Sequence, residues 1–456
     1  MDSLPSTLNR RRFLVTSAKA GMVLGAPGVL RASTANAPSE TLNVAMVGFG
    51  RQGLTLFENM RNIPGIRVRA ICDIWKFSKA RGQKRVRVYQ RETPNAYTDL
   101  DEMLVKEKEL DAAIIATPDF WHAPHATRCM EAGLHVYCES MMAHTLDAAR
   151  EIVRTSERTG KLCQIGHQHR SNAVYRYIFE RLLREHKICG PVHNINSQWN
   201  TSVDAFADLQ SSPRLTIDTK ILQKYGYNDM HGFHNWQHNP EQSQGRLARC
   251  TARQIDIINW LLDAVPKSVT VAAGRDFFKE RKHFDNLMCF FQYDTPQGTA
   301  RAFHQSLTTI SDPEVRFERF IGLNATLRIA GAGELTQIRN RTTDDRTGVH
   351  FADLAKRGIL RAQEKPPHHI PQEDEDSEMA ILSYASAPPI NYEVPGKAPR
   401  PASEAHLANF FDAIHGRAEL NCDARTAFKS EAAIYFLHAA GESGETHHFT
   451  PDQLKI

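Results

Sequence analysis

The 456-residue chain is 41% apolar and 24% charged, with a formal net charge of +4. That balance excludes a disordered, collagen-like or polytopic membrane chain, and the length exceeds what one hydrophobic core organises. The charge is concentrated in residues 1–37, where Arg10, Arg11, Arg12, Lys19 and Arg31 face Asp2 alone. The remainder sums to about zero and points to no nucleic-acid partner. Eight cysteines without paired short spacings argue against a disulfide scaffold or a zinc ribbon, and read as buried small hydrophobes.

Residues 1–37 have the form of an export signal. Arg10-Arg11-Arg12-Phe13-Leu14 precedes a modest apolar run from Val15 to Leu30, followed by small residues. The paired arginines resemble the twin-arginine (Tat) class, which predicts a periplasmic protein engaged by the Tat export machinery and cleaved near Ala35 or Ala37. The alternative is a basic tail. Lys19 interrupts the apolar run, which is too short and polar to span a membrane.

From residue 41 to 166 apolar runs alternate with helical patterns, as in a doubly wound parallel sheet. Leu42–Val47 reads as a buried strand and leads into Gly48-Phe49-Gly50-Arg51-Gln52-Gly53. In that pattern Gly48 permits the tight turn, Gly50 the approach of a pyrophosphate, and Gly53 close helix–strand packing. A second strand, 68–72, ends in Asp73, placed to accept ribose hydrogen bonds and to repel a 2′-phosphate. NAD is therefore favoured, while Lys76 and Arg51 keep NADP open. Further strands at 111–116, 134–138 and 161–165, with helices at 123–133 and about 145–159, place three segments on the ligand-binding rim. These are Thr117-Pro118-Asp119-Phe120-Trp121-His122, Glu139-Ser140-Met141 and Gly166–Arg170.

The glycine motif, Ala116–Ala123, His135–Glu139, Gln164–Arg170 and Gln254–Leu261 together resemble the glucose–fructose oxidoreductase/inositol dehydrogenase (Gfo/Idh/MocA) family. The resemblance runs from about residue 41 to the carboxyl end. It implies an N-terminal Rossmann domain (41–166) and a C-terminal α+β domain (167–456) with a large, mostly antiparallel open sheet. It also implies NAD(P)-linked chemistry on sugars or their derivatives, and a homo-oligomer. Cofactor contacts are expected from Gly48, Phe49, Gly50, Arg51, Gln52, Gly53, Asp73, Thr117, Pro118, Trp121, His122 and Glu139. Three positions depart from the family: its usual lysine, acid and histidine correspond to Ser140, Arg249 and Arg253. Guanidinium is no base, and unactivated serine is a poor one.

Arg249 and Arg253 share a helical face with Arg246 nearby, which suggests a site for an acidic ligand such as a sugar acid. Candidate bases are His231 and His234, in the polar aromatic stretch Tyr225–His238, together with His167 and His169 on the rim. Arg170, Tyr227 and Trp236 join Arg249 and Arg253 as candidate substrate contacts. His231, His234 and His238 have ligand-like spacing, but Gly232 and Asn235 weaken a helix and no fourth ligand is evident, so no metal is expected.

Strands are expected at 191–199, 267–274, 286–293, 298–307 and 316–329, and residues 341–402 read as an extended arm or linker. An exported dinucleotide protein finds no pool of free NAD, so a non-dissociating cofactor is expected. Three functions stay open: a sugar oxidoreductase, an inactive cofactor-loaded binding or scaffold protein, and a redox-neutral NAD-dependent glycosidase.

Overall fold

A computed structural model describes residues 41–210, 212–308, 316–333, 335–340, 348–363, 390–396 and 398–456. One compact unit runs from Glu40 to Ile456, and the expected export signal lies outside the described residues.

Six parallel strands make the first sheet: β1 (Leu42–Val47), β2 (Ile66–Cys72), β3 (Asn95–Tyr97), β4 (Ala112–Ile115), β5 (His135–Cys138) and β6 (Cys163–Ile165). Their order, β3-β2-β1-β4-β5-β6, reverses direction between β1 and β4 and leaves a crevice at the carboxyl ends of those two strands. Helices α1 (Arg51–Met60), α2 (Lys76–Gln90), α3 (Leu100–Lys106), α4 (Asp119–Glu131) and α5 (Leu146–Thr159) make the crossovers. The sheet is covered on both faces, which is why β4 reads as the unbroken apolar run Ala112–Ile115, every residue buried. Thr145 caps α5 by accepting from the Ala148 N–H, and the left-handed Gly160 ends it.

The second sheet has ten strands in the order β14-β15-β13-β12-β11-β7-β10-β9-β8-β16. Their ranges are β7 (Val192–Trp199), β8 (Pro266–Gly274), β9 (Asn286–Thr295), β10 (Gly298–Leu307), β11 (Arg316–Gly322), β12 (Ala325–Ala330), β13 (Leu335–Asn340), β14 (Arg361–Ala362), β15 (Ile390–Glu393) and β16 (His447–His448). Only the β7–β10 pair is parallel among its described pairings. Along β9, Leu287, Cys289, Phe291 and Tyr293 point into the core, whereas Met288 and Phe290 stay exposed. The covering helix, α9 after three short helices α6 (Ala173–Tyr177), α7 (Thr219–Lys224) and α8 (Met230–His234), spans Arg246–Leu262 and buries Leu247, Ala252, Ile255 and Ile258.

The structure corrects three expectations. The strand expected over 316–329 is a hairpin, β11–β12, because Gly322-Leu323-Asn324 turns the chain and Asn324 N–H bonds back to Cys189 O. The expected arm over 341–402 contributes structure where it is described. Helix α10 (Phe351–Lys356), the edge strand β14 and its neighbour β15 lie there, with Phe351, Leu354 and Tyr392 buried in the core. Proline and charge in that segment outweighed a short apolar pattern. Helix α4 begins at Asp119 rather than 123, with Pro118 as its N-cap residue. The chain then returns to the first sheet: α11 (Ala402–Ile414) packs Leu407, Phe410 and Phe411 on the β1 side, and α12 (Ala424–Glu431) follows. All eight cysteines are buried and unpaired, as read from the sequence. Among the described residues, no helix is long and apolar enough to cross a membrane.

Candidate functional site

The glycine loop is built to hold a phosphate. Gly48 has φ +85°, and a Cβ there would sit 2.8 Å from Ala116 O. A Cβ on Gly53 would lie 2.1 Å from Gly48 O, so only glycine lets α1 pack on the loop. At Gly50 nothing lies within 4 Å, which leaves open space in front of the uncapped N-terminus of α1. Asp73 accepts from the N–H groups of Phe49 and Trp75, both at 2.8 Å, one on each oxygen. Burial pushes its carboxyl up, and those two hydrogen bonds oppose the shift. Each Asp73 oxygen keeps a lone pair for a ribose hydroxyl. The residues present therefore fit a dinucleotide.

Two expected cofactor residues act indirectly. The Phe49 ring is fully buried against Phe57, so this residue serves the loop through its backbone alone. His122 is buried, with Nδ1 2.7 Å from Met141 O and Nε2 2.7 Å from Thr117 O, so it braces two rim loops against each other.

At the β5 end the rim is polar. Gln52 donates to Glu139 Oε1 at 2.9 Å, and Arg253 Nε donates to Ser140 Oγ at 3.2 Å. Arg253 Nη2 lies 3.8 Å from Glu139 Oε2, and its guanidinium faces Trp199. One turn earlier on α9, Arg249 faces Trp236 and lies 3.8 Å from Asp119 Oδ2. Thus Ser140, Glu139, Gln52 and Arg253 meet, as do Arg249, Trp236 and Asp119. Arg316 was not foreseen, since an arginine in a strand carries no motif. It stacks on Trp199 and approaches His169 Nε2 at 3.3 Å. Burial, followed by the Arg316 and Arg253 charges, holds the His169 imidazole well below its usual range.

Several candidates lie elsewhere. His231 and His234 sit on or beside α8; His234 packs edge-on against Trp75 at the β2 end, and exposed His231 bonds Asp208 at 3.1 Å. Neither histidine is hydrogen-bonded to Ser140, whose partner is Arg253. Proximity in sequence to a polar loop misled there. Tyr227 is buried between Phe120 and Phe233 and is part of an aromatic core rather than a free ligand contact. Arg170 is committed to Asp256 (Nη2–Oδ1 2.8 Å) beneath Trp260, and buried His167 bonds Glu431 at 2.8 Å. Both were expected at a ligand; burial and these partners make them internal ties instead.

The segment 217–238 lies across the rim. Trp121 Nε1 donates to Tyr225 O, Tyr225 Oη donates to Thr98 O, and Trp75 packs on Phe233. With Ile217, Leu222 and Tyr227 it forms an apolar strap over the β2–β4 ends.

A glycine-cradled crevice on this strand order, joined to a large open sheet, defines an NAD-binding Rossmann oxidoreductase fold with a second α+β domain. Residues 42–167 match the Gfo/Idh/MocA model, described as an oxidoreductase family with an NAD-binding Rossmann fold. A glycosyl hydrolase family 109 protein of Saccharopolyspora erythraea is 30% identical over 181 residues, 36% of this chain and 39% of the relative. The match thus spans well under half of that relative's length. Similar folds include the WlbA dehydrogenase of Bordetella pertussis in complex with NADH and UDP-GlcNAcA, with TM-score 0.63 and 14% identity, covering 90% of this chain and 99% of that one. An aldose–aldose oxidoreductase of Caulobacter crescentus complexed with glycerol is similar at TM-score 0.63 and 16% identity, covering 90% and 100%.

Proposed function

We propose that this chain is an exported NAD-linked oxidoreductase that acts on a sugar or sugar acid with a cofactor it does not release. The observation that carries the reading is the dinucleotide cradle running into a polar recess where Glu139, Ser140 and Arg253 converge. A nicotinamide dinucleotide bound there would supply a hydride acceptor. The protein's own groups bind and orient the ligand. Gln52 fixes Glu139 to accept from a ligand hydroxyl, and Ser140, whose oxygen accepts from Arg253, keeps its hydrogen for a ligand oxygen. Oxidation also needs a proton acceptor. His169 lies beside Arg316, but its Nε2 already faces an Arg316 N–H and its imidazole is held well below its usual range, so it is a poor acceptor for that proton.

The strap supports retention of the cofactor, since release requires parting Trp75 from Phe233 and Trp121 from Tyr225. Asp73 supports NAD over NADP. The twin-arginine pattern of residues 1–37 supports periplasmic export. The exposed face of the second sheet, with the Phe290 and Phe303 rings tilted against each other at 4.9 Å, supports a homo-oligomer. Ser140, Arg249 and Arg253 at the family's usual lysine, acid and histidine positions favour a second reading, a cofactor-loaded sugar-binding protein without turnover. The glycosyl hydrolase name of the family 109 relative supports a third over the shared segment, a redox-neutral NAD-dependent glycosidase.

The test mixes the purified protein with neutral and acidic sugars, and with glycosides, while the absorbance of bound reduced nicotinamide is followed. A sugar-dependent redox change supports the oxidoreductase, and glycoside cleavage without net change supports the third reading. Sugar binding with neither supports the second and overturns the first.

A further inference from the structure

Helix α9 starts against the usual electrostatic rule. Its first turn holds no acid, and Arg246, Arg249 and Arg253 crowd its N-terminal half, although the positive end of a helix dipole disfavours cations. The guanidinium groups rest on aromatic faces: Arg246 on Phe206, Arg249 on Trp236, and both Arg253 and Arg316 on Trp199. Stacking leaves their N–H edges free to point at a ligand. Those edges are under-used. Among the described residues, Arg246 Nε, Arg249 Nε and Nη2, and Arg316 Nε are buried without a hydrogen-bond partner. Such donors are costly to bury unpaired.

Local carboxylates do not meet the need. Asp119 Oδ2 lies 3.8 Å from Arg249 Nη2 and already accepts from Ser243; Glu139 Oε2 lies 3.8 Å from Arg253 Nη2, and its other oxygen accepts from Gln52. The third carboxyl, Glu318 near Arg316, accepts from Tyr175 and is pushed up to about 7 by burial, so below that pH four guanidinium groups face two carboxylates, an excess of two positive charges. Burial, together with the Arg249, Arg51 and Arg253 charges, lowers the Arg246 guanidinium from its ordinary value. Arg51, on the glycine loop, would be answered by the phosphates of a bound dinucleotide.

We propose that Arg246, Arg249, Arg253 and Arg316 form a binding site for a doubly charged oxyanion, a phosphate monoester or a dicarboxylate, carried by the sugar substrate between the Trp199 and Trp236 faces. This deepens the sugar-ligand reading and rests on it. Fork-shaped donors match carboxylate and phosphate oxygens, and two net charges match a dianion better than the single charge of a uronic acid.

The test titrates the full-length, cofactor-containing protein calorimetrically with a neutral hexose, its uronic acid, its aldaric acid, its phosphate ester and inorganic phosphate. Expected is a dianion preference of about 100-fold over the neutral hexose, weakened by salt. Arg249→Gln and Arg316→Gln should each weaken the dianion about 10- to 100-fold and by a larger factor than they weaken the hexose. Arg253→Lys, which keeps the charge and loses the fork, guards against a folding failure and should lose about 10-fold. The aldaric acid and the phosphate ester tell the two ligand sources apart. Equal affinity for hexose and dianions, or losses under about twofold in folded Arg249→Gln, would overturn the site. Inorganic phosphate binding as tightly as the sugar dianions would overturn its assignment to substrate. In the same samples the redox state of bound nicotinamide is recorded. A redox response to neutral hexose without dianion preference sinks the anion site alone; dianion binding with no redox response to any sugar upholds the site and sinks the oxidoreductase reading.

Discussion

Removing the Asp256 charge isolates the internal tie that takes Arg170 and His167 away from the ligand. Asp256 accepts from Arg170 Nε at 2.9 and 3.1 Å and from Ser430 Oγ at 2.7 Å, with His167 Nδ1 at 3.7 Å. Burial raises its carboxyl, but the Arg170 and His167 charges outweigh this and hold it below the ordinary value. Asp256→Asn keeps the volume and leaves a buried guanidinium without its counter-charge, at a cost of about 3–5 kcal/mol. Replacing both partners by apolar residues, Arg170→Met with Asp256→Leu, should cost far less, within about 1 kcal/mol of the starting protein. Midpoint shifts in urea at constant slope, read by circular dichroism and tryptophan fluorescence, supply both values. A loss under about 1 kcal/mol in Asp256→Asn, accompanied by weaker sugar binding, would refute this account and return Arg170 to the ligand.

Three further outcomes are expected. Gly53→Ala, whose Cβ would meet Gly48 O at 2.1 Å, should lower nucleotide affinity at least about 10-fold, measured as nucleotide retained after purification; full retention would contradict the cradle. His167 is pushed down by burial, yet Asp256 and Glu431 outweigh that and raise it above 6.5. Its stabilisation is therefore complete below pH 6.5 and lost as pH rises through the raised folded value, and His167→Gln should flatten that limb of the melting-temperature profile. Glu318 is pushed up to about 7 by burial, so folded protein holds a proton that the unfolded chain releases near 4.5. Stability should fall by about 3 kcal/mol between those values, and Glu318→Gln should melt higher than the starting protein at pH 8; an equal or lower melting point would contradict the shift.

The first sheet was legible because its signals are local. A six-residue apolar strand followed by spaced glycines admits few structures, and β1, the glycine loop and Asp73 stand where the pattern placed them. Alternation along β9 likewise exposed the one-sided character of the second sheet. The polar site was legible only in part. Helical spacing put Arg249 and Arg253 on one face, but Arg316 arrives from a strand and Trp199 from another, joined by pairing between β7 and β11. His231 and His234 failed for the same reason. Their loop folds as a strap whose aromatic residues pack on Trp75 and Phe120, a tertiary preference that no period along the chain encodes.

The central claim is a retained dinucleotide, and it is tested most directly by denaturing protein purified from the periplasm and identifying what it releases. The account predicts NAD in a stoichiometric amount that survives gel filtration. Protein that carries no nucleotide, and takes none up when NAD is added, would contradict it.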